Sequence, residues 1–317
     1  MITGPTASGK SEIALRLAEE EGLEILCMDS MQIYRGMDIG TAKPSREERE
    51  RVPHHLLDIC DPRENYSVSQ YVEEAEGLAE ELIRKGRKPL FVGGTGLYLM
   101  GLTMPMGMGN VPANEALRQE LRALSETAEG RLQLDKRLRQ VDPDTAEKLP
   151  MNDVRRRIRA IEVSEATGIP FSRQPERKGS SRFSWRIVST AMERPKLYER
   201  INRRVDRMME AGLEAEVRGL LEAGVPEGAQ SMSAIGYKEM IPCIRGEISR
   251  EEAAEEIRLN SRHYAKRQMT FLKRIEGVQY VDAGDSGAYE TVRGILMGES
   301  CPDVPPESNR MGSWPDV

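Results

Sequence analysis

Eight residues near the start of the chain have the types and spacing to bind a phosphate. They read Gly4-Pro5-Thr6-Ala7-Ser8-Gly9-Lys10-Ser11 and fit the pattern G-x-x-x-x-G-K-[ST]. Glycine lets the backbone turn so that several N–H groups point at one anion. The lysine of this pattern adds a point charge for a terminal phosphate, and the hydroxyl can ligate Mg²⁺. We predict a phosphate site here, with ATP, GTP and a diphosphate ester all open as its ligand.

The elements on either side of this loop are those that a phosphate-binding loop requires. An amphipathic helix is predicted from about Gly9 to Glu21, and its positive dipole end would face the same anion. A strand is predicted at Leu23–Met28, directly before Asp29. The Asp29 carboxylate should therefore open at the carboxyl edge of the sheet, where ligands bind in such folds. It could act there as a general base, or it could cap a turn.

The wider pattern of apolar residues predicts an α/β fold. A helix with a serine start is expected at Ser67–Gly86, a strand at Lys88–Val92 and a helix at Leu97–Leu102. This rhythm is typical of an open parallel sheet. Strands are also expected at Trp185–Thr190 and Val278–Val281, and helices at Arg194–Ala211, Leu213–Ala223, Ser231–Ile241 and Ser249–Glu276.

Residues 113–182 show an all-helical pattern with proline and glycine punctuation. We therefore predict a discontinuous core with a P-loop NTPase-like parallel sheet, residues 1–112 and 183–282, interrupted by a helical insertion domain at 113–182. The polar tail, 283–317, is expected to be disordered. Since only three residues precede the loop, the first strand is expected either to be short or to begin upstream of Met1.

The charge is unevenly distributed along the chain. The 317 residues include 46 Lys+Arg and 52 Asp+Glu, a net charge of −6. Residues 151–280 hold 25 of the basic and 19 of the acidic residues, which leaves 21 and 33 elsewhere. A locally basic half is compatible with contacts to an RNA backbone, although solvated arginine-rich helices give the same pattern.

Composition excludes several other classes of protein. No apolar run reaches 18 residues, so no transmembrane helix is expected. The chain has no charged-then-apolar leader, and its four cysteines form no C-x-x-C pair, so a cytoplasmic protein with reduced thiols is expected. His54 and His55 would point to opposite faces of a strand, and only one other histidine exists, so no zinc site is expected.

Three further stretches narrow the function. They are Asp29–Pro44 (DSMQIYRGMDIGTAKP), Pro53–Asp58 (PHHLLD) and Phe91–Tyr98 (FVGGTGLY). Together with the loop and in this order, they closely resemble the tRNA dimethylallyltransferase family, also called tRNA isopentenyltransferases or IPP transferases. The resemblance runs from Thr3 to about Val281. It implies transfer of a dimethylallyl group from its diphosphate to N6 of adenine 37 beside the tRNA anticodon, and it implies the same layout of core and insertion.

The resemblance also implies roles for individual residues. The loop would hold the diphosphate of dimethylallyl diphosphate instead of ATP, with Lys10 as the lysine of the motif and Ser11 as the Mg²⁺ ligand. Asp29 would be the general base that takes the N6 proton. Thr95 would line the channel where the flipped adenine meets the donor.

A further positive charge on the diphosphate would come from Arg204. Arg200 and Arg203 lie within one helical turn of Arg204 and remain open as alternatives.

The implied partner is tRNA, bound through its anticodon stem-loop by a monomer that has no contact with a membrane. Besides Asp29 and Thr95, the target base would be contacted by Ser30, Met31 and Gln32, and an amide such as that of Gln32 could pair with the polar edge of adenine. Two other contact segments match the family: Arg155, Arg156, Arg157, Ile158 and Arg159; and Ser233, Ala234, Ile235, Gly236, Tyr237 and Lys238. A third familiar stretch is Ala265–Thr270 (AKRQMT).

Three rival functions share part of this pattern. An adenylate (AMP) isopentenyltransferase would use the loop and Asp29. With a free nucleotide as substrate, however, the helical insertion and Arg155–Arg159 would have nothing to bind. A P-loop kinase could use Asp29 for Mg²⁺, but Asp29–Pro44 is not a kinase pattern. An RNA-binding protein with an inactive loop would not need the intact set of Lys10, Ser11 and Asp29.

Overall fold

A parallel β-sheet forms the centre of the fold in the computed structural model, which describes residues 1–104, 111–175 and 183–298. Its six strands are β1 (Ile2–Thr3), β2 (Leu23–Cys27), β3 (His54–His55), β4 (Lys88–Val92), β5 (Ile187–Ala191) and β6 (Val278–Asp282). The order across the sheet is β3-β2-β4-β1-β5-β6, and all neighbours are parallel. All five residues of β2 are buried, as expected for a strand that is covered on both faces. The α/β fold class is therefore confirmed.

Helices fill most of the remaining described chain. They are α1 (Lys10–Glu21), α2 (Arg46–Arg51), α3 (Val68–Arg84), α4 (Gly96–Thr103), α5 (Glu115–Leu124), α6 (Ala128–Val141), α7 (Pro143–Lys148), α8 (Val154–Thr167), α9 (Arg194–Glu210), α10 (Leu213–Glu222), α11 (Tyr237–Ile244), α12 (Arg250–Leu272) and α13 (Ala288–Met297). The side chains of Ser67 and Gln70 form a capping box at the start of α3, which confirms the predicted serine start. None of these helices is long and apolar enough to cross a membrane.

The described residues form two compact units. The first combines those of 1–103 with those of 182–317, and the second comprises those of 104–181. In the second unit, α5 to α8 pack around Leu121, Leu134, Leu138 and Ile161. The assignment of these units as a catalytic core and a tRNA-binding insertion stays a prediction.

One face of the sheet is covered by α1 and α13, and its core includes Ile2, Leu17, Val188 and Val292. The presence of α13 corrects the expectation of disorder from residue 283 onward. Tyr289 and Val292 lie three residues apart on one face of this helix and are both buried. Their apolar periodicity is short and lies within a polar stretch, which concealed it. Residues 299–317 of the predicted tail lie outside the described residues.

The predicted helix at Ser231–Ile241 also differs from the structure. The stretch Ser231–Ile241 is not one helix, because a 3₁₀ turn at Ser231–Ser233 ends before α11 begins at Tyr237. Gly236, with a φ of 102°, separates the two. The first strand has only the two residues of β1.

Candidate active site

The phosphate loop turns sharply between β1 and α1. A Cβ atom on Gly4 would lie 2.4 Å from Thr190 Oγ1, so the loop passes β5 at a distance that only glycine allows. Ala7 adopts a φ of 63°, which is uncommon for a residue with a side chain and is typical of constrained functional loops. The turn delivers the chain directly into the N-terminus of α1, the arrangement that binds anions in other proteins.

Lys10 occupies the first turn of α1 and folds back over the loop. Its Nζ donates a hydrogen bond to the carbonyl oxygen of Pro5 at 3.3 Å. Burial and the neighbouring charge of Arg204 lower the pKa of Lys10 to about 8, although the Asp29 carboxylate acts in the opposite direction. Lys10 is therefore a desolvated cation in a site that favours an incoming anion.

Helix α9 adds two guanidinium groups near the loop. Arg204 donates to the carbonyl oxygen of Thr41 at 3.4 Å, and burial lowers its pKa. Arg200, one turn earlier, lies 3.7 Å from the position that a Cβ atom on Gly9 would occupy. Arg203 is exposed and pairs with Glu199. The arginine predicted from the sequence is thus joined by Arg200, as their i, i+4 spacing on one helix allows.

Asp29 follows β2 at the carboxyl edge of the sheet, as predicted. Its Oδ1 accepts hydrogen bonds from the backbone N–H groups of Met31 at 2.9 Å and Gln32 at 3.4 Å. These bonds fix the half-buried carboxylate at the end of the strand. Its negative charge raises the pKa values of Lys10 and Arg204 against the effect of their burial, and all three groups line one cleft.

The turn after β4 is joined to the end of β2 through Thr95. The Thr95 hydroxyl oxygen accepts a hydrogen bond from the backbone N–H of Ser30 at 3.0 Å, and the Thr95 N–H donates to the carbonyl oxygen of Met28 at 3.2 Å. Thr95 also directly precedes α4. The structure therefore places Thr95 next to the segment of chain that starts at Asp29.

Gln32 has a structural role that the sequence did not reveal. Its Nε2 donates to the carbonyl oxygens of Thr41 and Ala42 at 3.0 and 3.2 Å, and its Oε1 accepts from Cys27 Sγ at 3.1 Å. The side-chain amide thus holds a neighbouring turn. A contact between Gln32 and adenine stays a prediction, and it would compete with these bonds.

Glu216, on α10, is a second structural residue that the sequence reasoning missed. Its carboxylate accepts hydrogen bonds from three successive backbone N–H groups, those of Asp38, Ile39 and Gly40, at 2.8 to 3.1 Å. It also accepts the hydroxyl proton of Tyr237. No sequence spacing could have indicated this contact, because almost 180 residues separate the partners.

Two residues of α12 complete the surroundings of Asp29. Tyr264 lies beside Thr95 and Gln268, and burial with the nearby charge of Asp29 raises its pKa to about 12. The Gln268 side chain is 6% exposed and contacts both the phosphate loop and the turn after β4. The signals available in the sequence were their i, i+4 spacing in the predicted helix and the match of Ala265–Thr270, which contains Gln268, to the family.

Parts of the two predicted tRNA-contact segments are buried. Arg157 is 2% exposed, and its guanidinium donates to Asp135 Oδ1 at 2.6 Å and to the carbonyl oxygens of Pro150, Ala146 and Leu149. Buried residues of both segments are Arg157, Ile158, Ala234, Gly236 and Tyr237. The buried side chains of Arg157, Ile158 and Tyr237 contribute to folding, and a contact of these residues with RNA stays a prediction.

Other members of these segments remain accessible. Arg155 and Arg156 are exposed at the start of α8, and Arg159 is half-buried and paired with Glu162. In the second segment Ser233 and Lys238 are exposed, and Ile235 is half-buried. RNA contacts by these residues stay predictions.

A single cleft of about 2060 Å³ collects most of the predicted site residues of the first unit. It is lined by Thr6, Ala7, Gly9, Lys10, Ser11, Asp29, Ser30, Met31, Gln32, Arg204, Ser233, Ala234, Ile235 and Lys238, and also by Arg200, Tyr264 and Gln268. Its chemistry combines an anion-binding loop, several cations and the Asp29 carboxylate at the end of β2.

Comparisons with known proteins agree with this arrangement. The chain is 43% identical over 300 residues to the tRNA dimethylallyltransferase of Geobacter metallireducens, covering 94% of this chain and 96% of that protein. It is 46% identical over 277 residues to the tRNA dimethylallyltransferase of Thermotoga neapolitana, covering 87% and 89%.

Solved structures show the same similarity. The full-length tRNA isopentenylpyrophosphate transferase of Bacillus halodurans matches with a TM-score of 0.69 and 40% identity, covering 94% of both chains. A eukaryotic dimethylallyltransferase acting on tRNA matches with a TM-score of 0.75 and 28% identity, covering 92% of this chain and 75% of that one. The family model for IPP transferase matches residues 32–275. With this match and this level of identity, the chain belongs to the IPP transferase family, the tRNA dimethylallyltransferases.

Proposed function

We propose that this protein transfers a dimethylallyl group from dimethylallyl diphosphate to N6 of adenine 37 in tRNA. The observation that carries the proposal is the proximity of Lys10 and Arg204 to Asp29 in one cleft. Cations there would stabilise a leaving diphosphate, while the carboxylate would accept the proton of an attacking amine. The names of the relatives support the same reaction.

The reaction breaks the bond between C1 of the allyl group and the diphosphate oxygen, which keeps the electron pair. A bond forms between C1 and N6 of adenine, and the proton of N6 passes to the Asp29 carboxylate. The amine becomes acidic only as the N–C bond forms, so a carboxylate can accept its proton when it is well placed. Hydrogen bonds from the backbone at Met31 and Gln32 provide that placement.

The residues at the start of α1 also fit the Mg²⁺ that a diphosphate donor implies. Magnesium is usually held by one or two protein oxygens together with the phosphates of the substrate. The exposed Ser11 hydroxyl, which faces the same cleft as Lys10, provides such an oxygen. The ion would neutralise charge on the leaving diphosphate.

The target base must leave the anticodon stack, which costs a few kcal/mol. We infer that Ser30, Met31 and Thr95 meet the flipped adenine, and that Ser233 and Lys238 contact the RNA around it. Arg155 and Arg156 would bind the RNA backbone, since they are exposed on α8.

A transfer assay with radiolabelled dimethylallyl diphosphate and Mg²⁺ tests this proposal. Unmodified tRNA, the same tRNA with guanine at position 37, and AMP are offered in separate reactions. Label only in the unmodified tRNA, lost on Asp29→Ala, is the expected result. Label in AMP alone would show a small-nucleotide prenyltransferase, and label in none of them would return the loop to an unknown phosphate ligand.

A further inference from the structure

Gln268 connects two loops of the site through a single buried amide. Its Oε1 accepts a hydrogen bond from the backbone N–H of Thr6 at 2.8 Å, and its Nε2 donates to the carbonyl oxygen of Gly94 at 2.9 Å. Thr6 belongs to the phosphate loop, and Gly94 belongs to the turn that carries Thr95. A glutamine amide suits this position because its oxygen can accept a hydrogen bond on one side while its nitrogen donates one on the other.

The turn after β4 is shaped to receive this face of α12. A Cβ atom on Gly94 would lie 2.3 Å from Gln268 Nε2, and one on Gly96 would lie 2.3 Å from Phe271 Cδ1. Neither position has room for a side chain. Tyr264, one turn before Gln268, contacts Thr95. Helix α12 therefore contacts every residue of the Gly94–Gly96 turn.

We propose that Gln268 is a positioning residue that fixes the separation between the phosphate loop and the Thr95 turn, and thereby the alignment of donor diphosphate and target amine. This inference rests on the proposed function. Gln268 acts through the two loops and not by contact with tRNA, because its amide is buried and bonded to backbone on both sides. Contact with RNA in this stretch would fall to exposed neighbours such as Arg267.

Gln268→Glu is the most informative variant because it replaces only the hydrogen-bond donor of the side chain. The carboxylate still accepts from Thr6, but when ionised it opposes the carbonyl oxygen of Gly94. Burial beside a carbonyl raises the pKa of a carboxyl group, and the protonated acid again has one donor and one acceptor. The defect of this variant should therefore diminish as the pH falls. Arg267→Ala, on the exposed side of the same helix, is the matched control.

Four quantities distinguish the outcomes: the kcat, the KM for each substrate, the affinity for inorganic pyrophosphate by calorimetry, and the affinity for tRNA by filter binding. At pH 8, Gln268→Glu should lower kcat/KM for dimethylallyl diphosphate by about a hundredfold, the scale of a small misplacement of reacting groups. Pyrophosphate should bind more weakly, and tRNA should bind as in the wild type. Between pH 8 and pH 6 the activity relative to wild type should rise. Arg267→Ala, which removes an exposed cation of the same cleft, should weaken tRNA binding, and its activity relative to wild type should not rise as the pH falls.

A Gln268→Glu protein with weaker tRNA binding and unchanged donor kinetics would overturn the proposal, as would an activity ratio that stays constant with pH. Gln268→Asn keeps both polar groups of the amide on a shorter side chain and replaces Gln268→Glu in these measurements if Gln268→Glu does not fold. Unchanged pyrophosphate affinity in Gln268→Asn also overturns the proposal. Two results together would separate this inference from the proposed function. If the wild-type protein prenylates no tRNA, the proposed function is refuted. If Gln268→Glu still binds pyrophosphate more weakly than the wild type, the positioning role of Gln268 stands.

Discussion

At the scale of single residues, Asp29 allows its chemistry to be separated from its structural role. Asp29→Asn retains an Oδ1 that can accept the hydrogen bond from the Met31 backbone, but it cannot take a proton. We expect kcat to fall by roughly 10²- to 10⁴-fold, the usual contribution of a general base. The KM for dimethylallyl diphosphate and the midpoint of thermal unfolding should change little. Steady-state transfer rates and a melting curve measure these effects, and a variant that keeps its kcat would exclude Asp29 as the base.

Lys10 gives a pH dependence whose sign follows from its environment. Its pKa is about 8, so the side chain is charged below pH 8 and neutral above it. A diphosphate ester such as dimethylallyl diphosphate is fully ionised in this range, since the second pKa of a phosphate ester is about 6. Affinity for dimethylallyl diphosphate in the absence of tRNA should therefore be highest below pH 8 and fall about tenfold per pH unit above it, because one proton is linked to binding.

Calorimetric titrations of dimethylallyl diphosphate without tRNA between pH 7 and pH 10 measure this dependence. Lys10→Arg provides the control, because a guanidinium does not titrate in this range. An equally steep decline in Lys10→Arg would assign the pH dependence to another group.

The residue scale also shows what sequence reasoning could reach. The placement of Lys10, Ser11 and Asp29 in one cleft was predictable because it follows from their positions next to a loop and a strand end. The burial of Arg157 and Tyr237 was not, because it depends on Asp135 and Glu216, which lie elsewhere in the sequence. An arginine in a basic run looks the same whether it faces RNA or the carbonyl oxygens of its own helical unit.

At the scale of elements, the contact between α10 and the 38–40 turn determines the order of that turn. Glu216→Ala removes the acceptor of three backbone N–H groups, whereas Glu216→Gln retains one carbonyl oxygen. Hydrogen bonds to a charged group contribute about 1.5–3 kcal/mol each, less at this half-buried position. We expect the amides of Ile39 and Gly40 to lose protection from hydrogen exchange in Glu216→Ala, with an intermediate loss in Glu216→Gln. Unchanged exchange at these amides would show that the turn is held by other contacts.

Elements with strong local signals were also the ones that the sequence predicted well. The serine cap of α3 and the apolar run of β2 are local features, and both elements appear where expected. Helix α13 was missed because its burial depends on α1, to which Tyr289 and Arg293 connect through Glu20 and Glu21. Tertiary contacts of that kind cannot be seen in a window of ten residues.

At the scale of the whole molecule, the negative net charge makes tRNA binding depend on a few local cations. Replacement of Arg155 and Arg156 by alanine should weaken tRNA binding and reduce the slope of log K against log salt by about one for each phosphate that the variant no longer neutralises. Filter binding at several salt concentrations measures the slope. A double variant with the wild-type slope would remove α8 from the RNA interface.

Arg157→Ala is the matched comparison in the same run. It leaves Asp135 without its buried partner and removes a donor from each of three carbonyl oxygens. We expect a decrease of about 3 kcal/mol in the free energy of unfolding of the helical unit, at the low end for a broken buried pair. Denaturant unfolding measures this decrease. A stable Arg157→Ala variant with weakened tRNA binding would restore Arg157 to the RNA interface.

The two residues of β1 also bear on how this chain is made. Ile2 pairs with Val92 of β4 on one side and with Val188 of β5 on the other, so this very short strand joins the two halves of the sheet. The second partner lies beyond the whole helical unit in the chain. At a synthesis rate of about 5–20 residues per second, β1 waits roughly ten seconds or more on the ribosome before β5 emerges. The sheet around the phosphate loop is therefore completed late, by a contact between distant parts of the chain, and the nascent protein carries an open strand edge until then.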